Sequence, residues 1–371
     1  MKKLYALIMS IILTTGCTKP VQDYFVLDFE NIKTYLDKSE INIDSLGWQT
    51  ELIPLETSDS LLIQNVEILK ESMDFYFIAS NGKIFKFDKK GKFLSYIGSK
   101  GQGPQDFVSV TQIQTDDKNK YLYVMDYFGR KMIIYKYNGE FASSFPLPED
   151  YSYNSFYLFN NVVYYISNSN SIMPDLMKYT IAESKIDTIC LRNREMGIEA
   201  FMGNSFIYKY DNDIRFFHYF NDTVYFIKEN HLLPCFLIRF GELKYNFEEL
   251  EVVVSDIIKP KVTRDGPRVQ LLNFFETPRY ICLFYLYNDK TPGSLGEHSY
   301  IFDKKYNRGY PNLGFKSDKT PYEILKHGQS FHYSEASNSF LQIKESHELS
   351  PFINSIQEDD NPVIIKHQLN N

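Results

Sequence analysis

The chain has 371 residues, with 40 Lys and Arg against 47 Asp and Glu, a formal charge of -7, and 29 Tyr and 30 Phe beside a single Trp. That length suits two ordinary domains or one large all-β domain, and the aromatic excess favours strands, whose pleated, half-buried surface accommodates rings and branched side chains. An acidic chain without a long basic block argues against a nucleic-acid partner, because that binding depends on Lys and Arg neutralising phosphates.

The first residues read as a targeting segment. Lys2 and Lys3 form a positive start, "LYALIMSIIL" is an apolar stretch too short to span a bilayer, and "LTTGC" places small residues ahead of Cys17. A cysteine directly after Gly16 resembles the lipobox of bacterial lipoproteins, with Leu13 one place further from the cysteine than usual. Residues 1–16 are therefore expected to be a signal peptide and Cys17 the point of lipid attachment. Several acyl chains on one residue would anchor firmly, where a single chain binds only marginally. Loss of Lys2 and Lys3 takes the formal charge from -7 to -9. Cys190, Cys235 and Cys282 are an odd, widely spaced set in apolar stretches, which reads as buried thiols rather than a disulfide framework.

Residues 17–45 are polar and aperiodic, a tether and lead-in. From Trp48 onward, short apolar runs alternate with turn residues, the pattern of an all-β sandwich, barrel or propeller. A repeat decides among these. "FYFIASNGKIFKFDKKGKFLSYIG" (75–98) and "LYVMDYFGRKMIIYKYNGEFASSF" (122–145) match strand for strand, with Gly91 and Gly139 in equivalent turns 48 residues apart. That spacing suits one four-stranded propeller blade per repeat.

Fainter copies follow at 162–189, 213–241 and 280–310, and "SFLQIKES" and "NPVIIKHQL" supply the last strands. Counted together they give six blades, although length divided by repeat spacing would allow nearly seven. The expected fold over 46–371 is thus all-β, a six-bladed propeller of four-stranded antiparallel blades with short helical excursions. Ring closure requires the ends to meet, so "QTELIPLE" is expected to pair with "PVIIKHQL" in one blade. Two segments break the pattern: 245–260 fits a helix by its acidic first turn and proline stop or a strand by its branched residues, and 350–362 is a shorter helix candidate.

These residues resemble a known family. "IFKFDKKGKFLSYIGSKGQGPQDF" resembles the NHL-repeat pattern, and the chain is similar to bacterial six-bladed β-propeller lipoproteins related to NHL repeats. "GSKGQGPQDF" resembles their blade-link signature, with Asp106 where Glu is usual; "LIPLETSDSLLIQNVEIL", "NDTVYFI" and "DDNPVIIKHQL" resemble their opening strand, a later hairpin and the closing strand. The resemblance covers about residues 45–371 and is poorest over 150–205. It implies the architecture and a cell-envelope address, with the outer membrane as the anchoring site. It implies no chemistry, because members share a fold and no agreed activity.

In "YIGSKGQGPQDF", Gly98, Gly101 and Gly103 are followed by Pro104, with no Lys-Ser/Thr and no helix after them, so a phosphate cradle is unsupported and the glycines read as a structural blade link. His231 and Cys235 share a strand-like stretch, where a spacing of four does not bring two ligands to one zinc. "YDNDIR" (210–215) is oxygen-rich but lacks the glycine and distal Glu of a calcium loop, and reads as a hairpin turn. No G-x-S-x-G elbow is present. Adjacent acids such as Asp116–Asp117, Glu248–Glu249 and Asp359–Asp360 would point to opposite faces of a strand. His298 and His327 fall in expected loops. "YFGR" (127–130) and "YSYNSFY" (151–157) are the most polar of the aromatic stretches and could stack on sugars or partners.

No catalytic, cofactor or metal residue is assigned, and no cofactor is expected. The sequence points to an envelope lipoprotein that binds a protein partner or glycan. The alternative is a lyase or hydrolase acting on polysaccharide at one mouth of the propeller channel. Convergent polar groups in the channel would favour an enzyme; an apolar patch outside it would favour a binder.

Overall fold

The computed structural model describes residues 25–29, 41–148, 155–166, 176–190, 205–218, 222–244, 268–288, 296–312, 315–317 and 332–370. They form six four-stranded antiparallel sheets arranged in a ring. Blade 1 comprises Ile68–Glu71, Phe75–Ser80, Lys83–Asp88 and Phe93–Tyr96; blade 2, Gln112–Asp116, Tyr121–Asp126, Lys131–Lys136 and Phe141–Pro146. Blade 3 comprises Ser155–Phe159, Val162–Ile166, Leu176–Thr180 and Lys185–Cys190; blade 4, Ser205–Tyr210, Asp213–His218, Thr223–Lys228 and His231–Arg239. Blade 5 comprises Arg268–Glu276, Tyr280–Asn288, Gly296–Asp303 and Arg308–Asn312. Blade 6 takes three strands from the C-terminal end, His332–Ser334, Ser339–Lys344 and Val363–Gln368, and its fourth, Gln49–Pro54, from the other end of the ring.

The latch therefore closes as the sequence suggested. Val363 faces Pro54 and Gln368 faces Gln49, an unbroken six-residue antiparallel register. Buried Asn361 secures it from the side: its Oδ1 accepts from Ile63 N at 2.7 Å, and its Nδ2 donates to the Glu56 and Leu61 carbonyls, each at 2.7 Å. A closed ring also removes the exposed first and last blade faces that an open stack would leave.

Each joint between consecutive blades carries its own hydrophobic cluster, which explains the aromatic excess. Phe77, Phe107 and Tyr135 fill the joint of blades 1 and 2, Phe156 and Tyr165 that of blades 2 and 3, and Tyr164 and Phe216 that of blades 3 and 4. Phe217, Phe274 and Tyr285 fill the next, Trp48, Tyr280 and Phe340 the fifth, and Tyr76, Phe87 and Ile364 the last. These side chains alternate along their strands, so both faces of a blade reach a neighbour.

The hairpin glycine of the repeat has a mechanical reason. Gly91 has φ +83° and Gly139 φ +95°, the left-handed region. Gly91 also presses against the Pro54 carbonyl of the latch strand, leaving no room for a side chain.

Part of the segment 17–45 is built into the ring. Phe25–Asp28 adds a fifth, parallel strand to the outer edge of blade 4, with Leu27 and Phe29 buried in the cluster between blades 4 and 5. Ile41–Asn42 then pairs with Phe315–Lys316. The candidate helix at 350–362 is not present: those residues form successive turns. The nearest helix is the single turn Ser346–Leu349, closed by a capping box between Glu345 and Glu348. The other candidate, 245–260, lies outside the described residues. Where the family resemblance is poorest, over 150–205, the strands between Ser155 and Cys190 nevertheless make a four-stranded blade 3.

Candidate functional site in the central channel

The innermost strand of every blade faces the ring axis. Their alternation sorts side chains into two sets. In Ile68–Glu71, Leu69 and Glu71 are buried towards blade 6, Ile68 packs against the cluster between blades 1 and 2, and Lys70 borders the channel. In Ser155–Phe159, Phe156 is buried and Tyr157 reaches inward. Gln112 and Gln114, Ile207, Asn273 and His332 complete the wall, enclosing about 470 Å³.

Several of these polar groups are committed to holding the ring. Gln112 grips the inner strand of blade 3, accepting from Phe156 N at 2.5 Å and donating to Phe156 O at 3.0 Å, and Gln114 donates to the same oxygen at 3.2 Å. An inner strand has one edge without a sheet partner, and these amides satisfy it. Asp117 accepts from Met73 N at 3.1 Å and from the Tyr137 hydroxyl at 3.1 Å.

Glu71 is held by Lys89 at 2.5 Å, Lys366 at 3.1 Å and the Ser337 hydroxyl at 2.5 Å. Burial alone would raise its pKa; the Lys89 and Ser337 hydrogen bonds and the Lys89 charge outweigh it and hold the carboxyl below its usual range. Blade 5 repeats the device. Glu276, again the last residue of an inner strand, meets Lys304 at 2.5 Å, Arg215 and the Tyr208 hydroxyl at 3.0 Å. Lys89 and Lys304 each follow the aspartate that ends the third strand, Asp88 and Asp303.

Four channel groups remain available. Lys70 and His332 have no hydrogen-bond or ion-pair partner among the described residues; Lys70 is half-buried and His332 exposed where they border the channel. Burial pulls the Lys70 ammonium below the ordinary amine value, opposed by the charges of Glu335 and Asp117. Burial and the nearby Lys70 charge likewise lower His332, favouring the neutral ring. Tyr157 donates to the Glu335 carboxylate. That bond joins blade 3 to blade 6, opposite sides of a six-membered ring, so it crosses the channel. Burial first, then the Glu335 charge, raises the Tyr157 phenol well above its usual value and keeps it protonated.

The channel thus offers an ammonium, an imidazole and a phenol as donors, with a carboxylate as acceptor. Sequence motifs did not mark Lys70, His332 or Glu335. The one signal was a lysine in "EILKES", inside a strand whose two faces should both be covered.

Residues singled out in the sequence lie elsewhere. Gly98, Gly101 and Gly103 are in the link between blades 1 and 2, away from the channel wall. Gly98 has φ +62°, and a methyl there would sit 2.5 Å from Tyr135 Oη. The link's amides bond inward: Gly101 N to Phe107 O at 3.0 Å, Gly103 N to Asp106 Oδ2 at 3.1 Å, and Phe107 N to Ser99 O at 3.0 Å. Tyr135 Oη donates to Gln105 O at 2.5 Å and Lys131 Nζ to Gly103 O at 2.8 Å.

His298 is a correction: it belongs to the strand Gly296–Asp303 and stacks on Tyr285 with ring centres 5.7 Å apart. His231 and Cys235 share one strand. Cys282 is buried and Cys235 half-buried, both as free thiols. Asp211 opens a hairpin turn with φ +55°. Cys17, His327 and Glu248–Glu249 lie outside the described residues. Among the described residues no cluster of metal-ligating side chains occurs, and no helix is long and apolar enough to cross a membrane.

The profile of a sequence family described as "Domain of unknown function (DUF4934)" matches residues 25–368. The chain belongs to the DUF4934 family. The match begins at the parallel strand on blade 4 and ends with the closing strand of blade 6, so this DUF4934 domain is the whole ring. No curated protein matches it in sequence.

Among solved structures it is similar to a Bacteroides fragilis NCTC 9343 protein whose name assigns it, provisionally, to export. The two share 17% identity and a TM-score of 0.69 over 94% of this chain and 99% of that one. A DUF4221-family member from Bacteroides vulgatus ATCC 8482 shares 10% identity at a TM-score of 0.52 over 87% and 97%. These likenesses show the fold. A Staphylococcus aureus virginiamycin B lyase, at 12% identity and a TM-score of 0.42 over 87% and 100%, is too distant to carry an argument about chemistry.

Proposed function

We propose that this DUF4934 protein is an exported, envelope-anchored binding protein whose ligand enters the central channel. The observation that carries this reading is the set Lys70, His332, Tyr157 and Glu335, which faces about 470 Å³ of enclosed space. Lys70 and His332 face that space without a hydrogen-bond partner among the described residues, and a ligand would supply the missing bonds. Export is supported by the lipobox-like "LTTGC" and by the name of the Bacteroides fragilis relative. Lipid attachment at Cys17 is tested by metabolic labelling with palmitate. Wild type should incorporate label, and Cys17→Ala labelled equally would refute it.

The channel reading is tested with a glycan and peptide array, comparing wild type with Ala336→Trp. Ala336 lines the channel from a turn, so an indole there blocks the space without altering a strand. Ligands retained by wild type should be lost by the variant; retention by both would contradict a channel site.

The convergence of Lys70, His332, Tyr157 and Glu335 also supports a second reading, a polysaccharide-active enzyme. Within it a lyase is favoured over a hydrolase. Glycoside hydrolysis calls for two working carboxylates, whereas Glu71 and Asp117 are committed to Lys89, Lys366, Met73 and Tyr137. Product formation from a ligand the array retrieves would decide for the enzyme.

A further inference from the structure

Resting on the channel reading above, we infer that the site recognises a carboxylate flanked by hydroxyl groups, the chemistry of an acidic sugar or another polyhydroxylated acid. Lys70 carries the argument. It projects from the inner strand of blade 1 into the channel, and among the described residues it has neither a hydrogen-bond acceptor nor an ion-pair partner. The lysines around it differ. Lys89 and Lys366 close on Glu71 at 2.5 and 3.1 Å, Lys86 donates to Tyr137 O at 2.8 Å, and Lys304 closes on Glu276 at 2.5 Å. Those lysines are bonded, whereas Lys70, half-buried, faces open space.

The nearest carboxylates act on Lys70 through their charge but form no ion-pair contact with it. Asp117 accepts from Met73 and Tyr137, and Glu335 accepts from Tyr157 across the channel. His332, on blade 6, borders the same space close enough for the Lys70 charge to act on it. Its neutral ring offers one N–H donor and one acceptor. An anion bound at Lys70 is thus met by a second donor without a second full charge, which suits a single carboxylate better than a doubly charged phosphate.

The rest of the wall specifies what surrounds that carboxylate. Glu335 can accept from a hydroxyl, and Tyr157, held by Glu335, presents a ring face and a phenolic oxygen. Ile207 adds apolar surface suited to the C–H face of a sugar ring. A negatively charged ligand lacking hydroxyls would leave Glu335 facing it without a proton between them. A neutral sugar would leave Lys70 without a carboxylate in contact with its ammonium. A polyhydroxylated carboxylate answers both.

The test is equilibrium titration of the purified protein with D-glucuronate, D-glucose and acetate at constant ionic strength. Glucuronate should bind at least about tenfold more tightly than either of the others. Lys70→Met should weaken glucuronate by about tenfold or more while leaving glucose unchanged, and Glu335→Gln should weaken both sugars. Thermal melts of each variant establish that the ring is intact. Equal binding of glucose and glucuronate, unchanged glucuronate affinity in folded Lys70→Met, or no binding of glucuronate at all would overturn the carboxylate assignment. A neutral or cationic ligand recovered from the array, bound by wild type and lost in Ala336→Trp, would also overturn it while leaving the channel reading standing. Array ligands insensitive to Ala336→Trp would instead remove the channel reading itself.

Discussion

Replacing Glu71 with Gln tests how the ring is tied together at the joint between its last blade and its first. The side chain is wholly buried, and Lys89 and Lys366, whose side chains are 32% and 14% exposed, converge on one of its oxygens. Gln preserves the shape and the Ser337 hydrogen bond but removes the charge, leaving two ammonium groups facing each other. Breaking a buried ion pair from one side costs about 3–5 kcal/mol. Lys89 can partly escape to water, so the lower end applies, about 3 kcal/mol.

With a urea dependence of about 3 kcal/mol per molar, the midpoint should fall by about 1 M. The carboxyl is held below its ordinary pKa in the folded state. Its contribution is therefore present above the unfolded carboxyl value near ~4.3 and lost as pH falls through the folded one. Wild type should lose stability in acid, and Glu71→Gln should lose less of it. Urea melts followed by fluorescence and circular dichroism, at neutral pH and in acid, read both effects. A cost below about 1 kcal/mol at neutral pH, or an identical acid response in the two proteins, would refute the reasoning.

Other perturbations follow from the same joints. Deleting residues 362–371 removes the strand between Ser339–Lys344 and Gln49–Pro54, and circular dichroism should show loss of cooperative unfolding; an unchanged melt would contradict the latch. Asn361→Ala strips the acceptor from Ile63 N and donors from two carbonyls, and urea melts should show a loss of about 2–4 kcal/mol. Burial lowers His367 to about 4. The unfolded chain therefore binds the extra proton between about 6.5 and 4, and stability falls with pH across that window by up to about 3 kcal/mol. In His367→Gln, the slope of stability against pH from 6.5 to 4.5 should flatten. Gly91→Ala forces a side chain onto the Pro54 carbonyl at positive φ, and urea melts should show a loss of at least about 1–2 kcal/mol.

The ring was legible because its rules are local and repeat. The 48-residue spacing of Gly91 and Gly139 marked two blades, and the pairing of Gln49–Pro54 with Val363–Gln368 followed from the need to close. Blade 3 was faint in sequence because it lacks the glycine turn; Ser184, at φ +49°, stands in the equivalent hairpin instead. The helix expected at 350–362 failed because Pro351 and Pro362 bracket polar residues that satisfy one another in turns, as when Gln357 N bonds Asp360 at 2.7 Å. The site was not legible. Lys70 lies 262 residues from His332 and 265 from Glu335, on strands that meet only when the ring closes. No short motif records such a meeting. The glycine link at 98–103 drew notice because its chemistry is contiguous, and its amides are occupied by its own backbone and Asp106.

The most direct measurement is a crystal structure of the protein soaked with whichever ligand the array retrieves. It should show the ligand inside the ring, within hydrogen-bond reach of Lys70 and Glu335. Ligand on the outer rim, with the channel free of it, would contradict the account.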